Sequence, residues 1–335
     1  MIYIKLFDLI SDYNNYIKSE DALLPNVSLV QEITKLYYNP IIGDIDYTQQ
    51  YLTFEAVTPS KFGFIKSLCN NVQYSLDNGS TWVSMDFATD VTELSNLSES
   101  DLAWTPTVEA GQKIIWKATY TYVEEPEAPG IGLFYSTGDY NISGNILSMV
   151  FGDNFTTGNI DDVNTTYLLY ATFGLVNYQV LHKDATQGTF NTIPGPVDCS
   201  NLVLLPKHDG FEYYMTFQCC GKMTTAPKLA VTELVGGDYM YMFAGCESLT
   251  TAPVLPATIL ASSCYHGMFS GCKNLNNVTM LATDISAENC LIQMLPEVSA
   301  TGTFNKAPGV EIPTATEDNN YTGIPAGWTV VDYIA

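Results

Sequence analysis

Arginine is absent from this chain: all 13 basic side chains are lysine, set against 36 acidic ones, for a formal charge of −23. Phosphate neutralisation and bidentate base readout draw on both Lys and Arg, so no nucleic-acid partner is expected. The imbalance instead keeps the molecule soluble and repels other acidic surfaces. Long apolar runs are missing too. No stretch approaches the ~18 residues of a membrane span, so no membrane partner is expected either. Met1-Ile-Tyr-Ile-Lys-Leu-Phe-Asp-Leu-Ile10 starts apolar but carries Lys5 and Asp8, which breaks the run a signal peptide requires. No early Cys offers a lipid anchor, and Trp328–Ala335 carries no sorting segment. The expectation is a chain that stays in the cytoplasm in which it is made.

Catalytic apparatus is equally sparse. Catalysis needs a base, a nucleophile or a metal held in mutual reach, and the histidines are three: His182, His208 and His266. No His-Glu-x-x-His motif, phosphate-binding glycine loop or nucleophile elbow occurs. The acidic residues are scattered, and abundance alone does not make an acid–base pair. We therefore expect no enzyme and no catalytic, cofactor-binding or metal-ligating residue. The eight Cys (69, 199, 219, 220, 246, 264, 272 and 290) include no Cys-x-x-Cys pair, and Cys219-Cys220 is vicinal.

What the chain does have is an internal repeat. Phe217, Phe243 and Phe269 lie 26 apart, as do Cys220, Cys246 and Cys272, then Met223, Leu249 and Leu275, then Leu229, Leu255 and Leu281. Cys264 and Cys290 keep the same period, with Met268 and Met294 in step. A unit this short cannot bury its own apolar positions, so equivalent positions must stack between neighbouring coils, which makes a solenoid. Cys264 to Met268 has the spacing of a helical turn, while the Pro-flanked Val254-Leu-Pro256 reads as a brief strand. Successive strands would form a narrow parallel sheet with rungs every ~4.8 Å. Cysteines in one column point the same way from adjacent coils, whereas a disulfide needs converging Cβ atoms. Reduced, buried Cys is the expectation, and His266, at a variable repeat position, is expected to be exposed.

The segment Met242-Phe-Ala-Gly-Cys-Glu-Ser-Leu-Thr-Thr-Ala-Pro-Val-Leu-Pro-Ala-Thr258 closely resembles the leucine-rich repeat of BspA-type surface proteins. The resemblance covers roughly 169–335, with Ala171-Thr-Phe173 and Asn201–Pro206 as a degenerate first unit and Gly302–Val330 as a closing segment. Cys219 where the pattern has Gly, Met223 where it has Leu, and Asn276–Met280 depart from it. It implies a solenoid that presents surface for binding, and names no ligand.

Ahead of the repeats, Tyr51–Ala56, Val72–Leu76, Thr81–Met85 and Lys113–Tyr120 alternate or cluster apolar residues at strand length. They read as an immunoglobulin-like β-sandwich. Ser75-Leu-Asp-Asn-Gly-Ser-Thr-Trp82 matches the Asp-box pattern, a folding element in the sialidases that carry it, and Asn78-Gly79 signals a tight hairpin. Glu124–Gly130 is a Pro-rich acidic break that reads as a hinge.

The fold class expected is thus mainly β: an immunoglobulin-like sandwich over 46–123, a hinge over 124–130, and a BspA-type leucine-rich-repeat solenoid with short helical turns over 131–335. Residues 1–45 belong to neither part. Asp12–Ile17, Leu24–Val30 and Tyr37–Pro40 resemble the N-terminal segment of virion and fibre proteins from Bacteroides phages, the crAss-like group included. That resemblance implies a structural virion protein at the virion surface, a head fibre or capsid decoration. It would dock on the capsid or another virion protein through 1–45, form a trimer or dimer, and project its solenoid toward host-surface or mucus glycans or proteins. A bacterial cell-surface adhesin and a tail-fibre receptor-binding protein are the alternatives.

Overall fold

The computed structural model describes residues 46–66, 69–87, 102–120, 131–174, 190–206 and 209–333. The attachment segment 1–45 and the break 124–130 lie outside these described residues. The fold is mainly β. Its front strands are β1 (Leu52–Ala56), β2 (Phe62–Lys66), β3 (Cys69–Ser75), β4 (Val83–Ser84), β5 (Ala103–Trp104), β6 (Lys113–Tyr120), β7 (Gly132–Ser136), β8 (Tyr140–Asn145) and β9 (Asn201–Val203). They form two sheets, ordered β4-β3-β6-β1-β8-β9 and β5-β2-β7. Alternation explains the packing: Phe54 from the larger sheet meets Phe62 and Phe134 from the smaller one, at ring separations of 5.2 and 4.9 Å. Trp116, fully buried on β6, closes the same cluster 5.1 Å from Phe134.

The hairpin between β3 and β4 turns at Asn78 and Gly79, with φ of 57° and 87°. Two successive positive φ values match the twist of the flanking strands, which is why Asn-Gly marks such turns.

The acidic break does not separate two cores. Strands β7 and β8, which the sequence groups with the repeats, instead complete the front sheets: β7 pairs antiparallel with β2, and β8 with β1. Every residue of β7 is buried. Phe134 faces the aromatic cluster, while Leu133 and Tyr135 pack with Ile65 and Leu102 on the opposite face. A strand apolar on both faces belongs in the interior of a layered structure, and a Pro-rich break ahead of it does not decide which sheet it joins.

From these edges the repeats grow. On one side, Ile131 and Phe134 donate backbone N–H groups to the carbonyls of Leu168 and Thr172. On the other, β9 runs parallel to β8, and Cys199 N–H donates to Thr225. Each sheet thus continues into one wall of a stack of coils. The second wall ends in the parallel strands β10 (Asn277–Met280), β11 (Gly302–Lys306) and β12 (Trp328–Asp332), paired at an offset of 26 residues. Val254-Leu-Pro256, expected as a strand, makes isolated bridges only, such as Leu255 to Met280. Pro253 and Pro256, which flank Val254 and Leu255, have no N–H to extend the ladder.

The other wall is no helix. Along 211–219, 237–245 and 263–271 every fourth residue has positive φ, as at Phe211, Met215 and Cys219, or Ser263, Gly267 and Gly271. Alternate N–H groups donate to the next coil (Tyr239 to Cys264, Tyr241 to His266, Phe243 to Met268), and those between them donate three residues back within the coil. The expected helical turn is therefore a ribbon of turns, since left-handed residues at this spacing prevent α-helical propagation. Cys264 and Met268 still share the buried side.

Candidate functional site

Stacking turns each repeat position into a column. Inside the stack, Phe134, Phe173, Phe217, Phe243 and Phe269 form one pile of rings, with centroids 5.7, 5.2, 5.6 and 5.7 Å apart and planes within 17°. The pile begins on β7 and ends three coils on from Phe173. Tyr213, Tyr239 and Tyr265 make a second column.

The cysteine columns are buried and carry free thiols. Cys220, Cys246 and Cys272 each donate Sγ–H to the carbonyl of a phenylalanine one coil back, Phe173, Phe217 and Phe243, at 3.1–3.3 Å. Burial pushes the Cys272 and Cys264 thiols up to about 12. The thiols are packing groups, with the donor satisfied at Cys220, Cys246 and Cys272, and poor as nucleophiles because the thiolate is disfavoured. Cys219 differs: it is half-buried, with φ of 63°, at the position Gly245 and Gly271 occupy in the following coils.

A second column holds charge. Glu212, Asp238, Cys264 and Cys290 follow one another at 26-residue spacing, and both carboxyl groups are fully buried. Burial first, then the hydrogen bond and charge of Asp238, raise the Glu212 carboxyl to about 8. Glu212 also accepts from Thr165 Oγ1 at 2.8 Å and from the N–H groups of Gly210 and Asp209. Asp238 accepts from Val235 N–H at 2.6 Å. Sequence reading passes over this pair, although the period that aligns the cysteines also aligns the two acids. They tie neighbouring coils together from inside the stack. Glu247, also buried, pairs with Lys273 at 3.3 Å.

Of the histidines, His182 and His208 lie outside the described residues. His266, expected to be exposed, is half-buried: Tyr241 Oη lies 3.0 Å from Nε2, and burial lowers its pKa. Its neighbour one coil back is an aromatic ring that covers it. In the Asp-box loop, Asp77 accepts from Ser75 Oγ, Thr81 N–H and Thr81 Oγ1, which hold its carboxyl down to about 2. Both of its oxygens are used inside the loop. Beside it, Lys117 Nζ lies 4.0 Å over the Trp82 ring and 2.8 Å from Asp153, which also accepts from Tyr51 Oη.

Among the described residues no group of three or more His, Cys, Asp or Glu is placed to hold a metal ion, and no helix is long and apolar enough to cross a membrane. An open groove beside the last coils, about 340 Å³ in volume, is lined by Pro296, Tyr321 and Pro325 with Glu297 as its one carboxylate. Among the described residues the repeat thiols and the Glu212 and Asp238 carboxyls are thus turned inward, and the Asp77 carboxyl is bound within its own loop. Comparison with protein-family models, with curated proteins and with solved structures finds no match.

Proposed function

We propose that the chain is a structural component of a phage virion, a head fibre or capsid decoration. In this reading an immunoglobulin-like sandwich carries a BspA-type leucine-rich-repeat solenoid that projects outward to meet host-surface or mucus glycans or proteins. The supporting observation is the way the coils are built. The thiols of their cysteine columns and their stacked Phe rings face inward, and the stack grows from the edges of the front sheets. Such a body displays surface at a fixed distance from its base and performs no chemistry on what it touches. The segment 1–45 supplies the contact with the capsid or another virion protein.

Because β7 and β8 complete the front sheets, deleting everything after the acidic break would destroy the whole fold. The cleaner test compares particles assembled with the full chain and with a chain lacking 1–45. An antibody to the exposed 254–259 surface is then applied to intact particles. The proposal predicts incorporation of the full chain alone and labelling without disruption. Absence of the chain from purified particles, or incorporation without 1–45, contradicts it.

A further inference from the structure

The wall of turns carries little exposed charge on a strongly acidic molecule. Through 165–173, 211–219, 237–246, 263–272 and 289–297 the carboxylates are Glu212 and Asp238, both fully buried, and Glu297, exposed at the end of the last coil, and no Lys occurs. The half-buried side chains there include Tyr167, Tyr170, Phe211, Tyr214, Met240 and Tyr241. Their rings run along the stack: Tyr167 on Phe211 at 5.3 Å, Tyr170 on Tyr214 at 5.1 Å, and Tyr214 on to Tyr241 at 6.4 Å. Trp104 on β5 and Met215 pack beside Tyr170 against the same small cluster, so the face extends onto the front sheet. The opposite wall exposes Lys228, Glu233, Asp284 and Glu311.

We propose that this face joins two copies of the chain in solution, across a two-fold axis. Three observations select a second copy as the occupant. Copies carrying −23 repel one another at short range, and a surface whose one exposed carboxylate, Glu297, lies at its far end is where that repulsion is least. The composition of the face, rich in Tyr, Phe and Met and depleted of Lys, Glu and Asp, is that of an interface core. Its size fits as well. Five coils and two adjoining strands at ~4.8 Å span about 30 Å, and a standard interface of about 800 Å² per partner is a patch of similar width. A two-fold axis places one face on its own copy, so one surface serves both partners. The inference stands apart from the virion reading, since it requires only the stack.

The test is sedimentation velocity on the full chain over a micromolar concentration series, for the wild type, Tyr214→Glu and Met240→Glu. Thr250→Glu, exposed on the other wall, serves as control, and thermal unfolding checks that each variant folds. The expected result is a dimer for the wild type and Thr250→Glu, with dissociation constants raised at least about tenfold in both face variants. If Tyr214→Glu does not fold, Met240→Glu, on a different coil, decides alone. A monomeric wild type overturns the proposal, as does a dimer indifferent to both substitutions. A monomer that binds uncharged oligosaccharide through Tyr214 overturns it too, and gives the face to a glycan.

Discussion

At Gly267 the backbone has φ of +61°, and a Cβ there would lie 2.1 Å from the Tyr241 ring of the preceding coil. Gly237 stands in the same relation to Phe211. Glycine is thus fixed by the aromatic side chain one period earlier, as well as by φ. Gly267→Ala adds a left-handed alanine and an overlap, and should destabilise by about 2–4 kcal/mol. Tyr241→Ala in the same chain should return part of that loss, which a double-mutant cycle in urea measures. Glu212 yields a pH dependence. Its carboxyl is raised from 4.5 to about 8 by burial and by Asp238, so the folded state holds a proton that the unfolded state releases. Its contribution is full below about pH 4.5 and is lost as pH rises toward 8, with a slope of at most about 1.4 kcal/mol per pH unit. Unfolding free energy should fall between pH 5 and 8 in the wild type. Glu212→Gln, whose amide donates to Asp238 at every pH, should flatten that fall, and an unchanged slope would remove Glu212 as its source.

Among elements, the coil was the most legible in sequence, because a packing constraint repeated at fixed spacing leaves identical residues at identical places. The columns of Phe217, Cys220 and Met223 read straight from the 26-residue period. The register then slips. Leu255 bridges to Met280, fully buried, while Leu281 is only half-buried, so the column expected to run through Leu281 runs one residue earlier. Asn276–Met280 looks eroded against the repeat because it forms a regular strand, β10, whose period of two admits a shift that a residue count cannot detect. The left-handed turns were hidden for a related reason. One column holds Met215, Tyr241, Gly267 and Gln293, all at positive φ, and such a set carries no common signature. The membership of β7 and β8 was hidden because a strand's own alternation does not name its partner. Phe243 tests the coil directly. Its ring lies between Phe217 and Phe269 at 5.6 and 5.7 Å, so Phe243→Ala should cost about 3–5 kcal/mol by thermal or urea unfolding. An unchanged midpoint would mean the pile of rings is not formed.

Over the whole molecule, one apolar core runs from Leu52 and Phe54 in the front sheets to Phe304 and Trp328 in the last strands. The pile of rings crosses from β7 into the coils at successive spacings of 5.7 and 5.2 Å. The described residues of 47–333 are therefore expected to unfold as one cooperative body, grown edge-on from two sheets, rather than as a sandwich and a solenoid on a hinge. Two buried thiols report on its opposite ends: Cys69 on β3 and Cys272 in the coils are both fully buried. Pulsed alkylation across a urea gradient, read at each cysteine by mass spectrometry, follows them in one sample. Cys69 and Cys272 should become reactive at the same urea concentration, and Phe243→Ala should move both midpoints down together. Labelling of Cys272 at low urea while Cys69 stays protected, with Phe243→Ala shifting the first alone, would show two independent domains and contradict the single cooperative body.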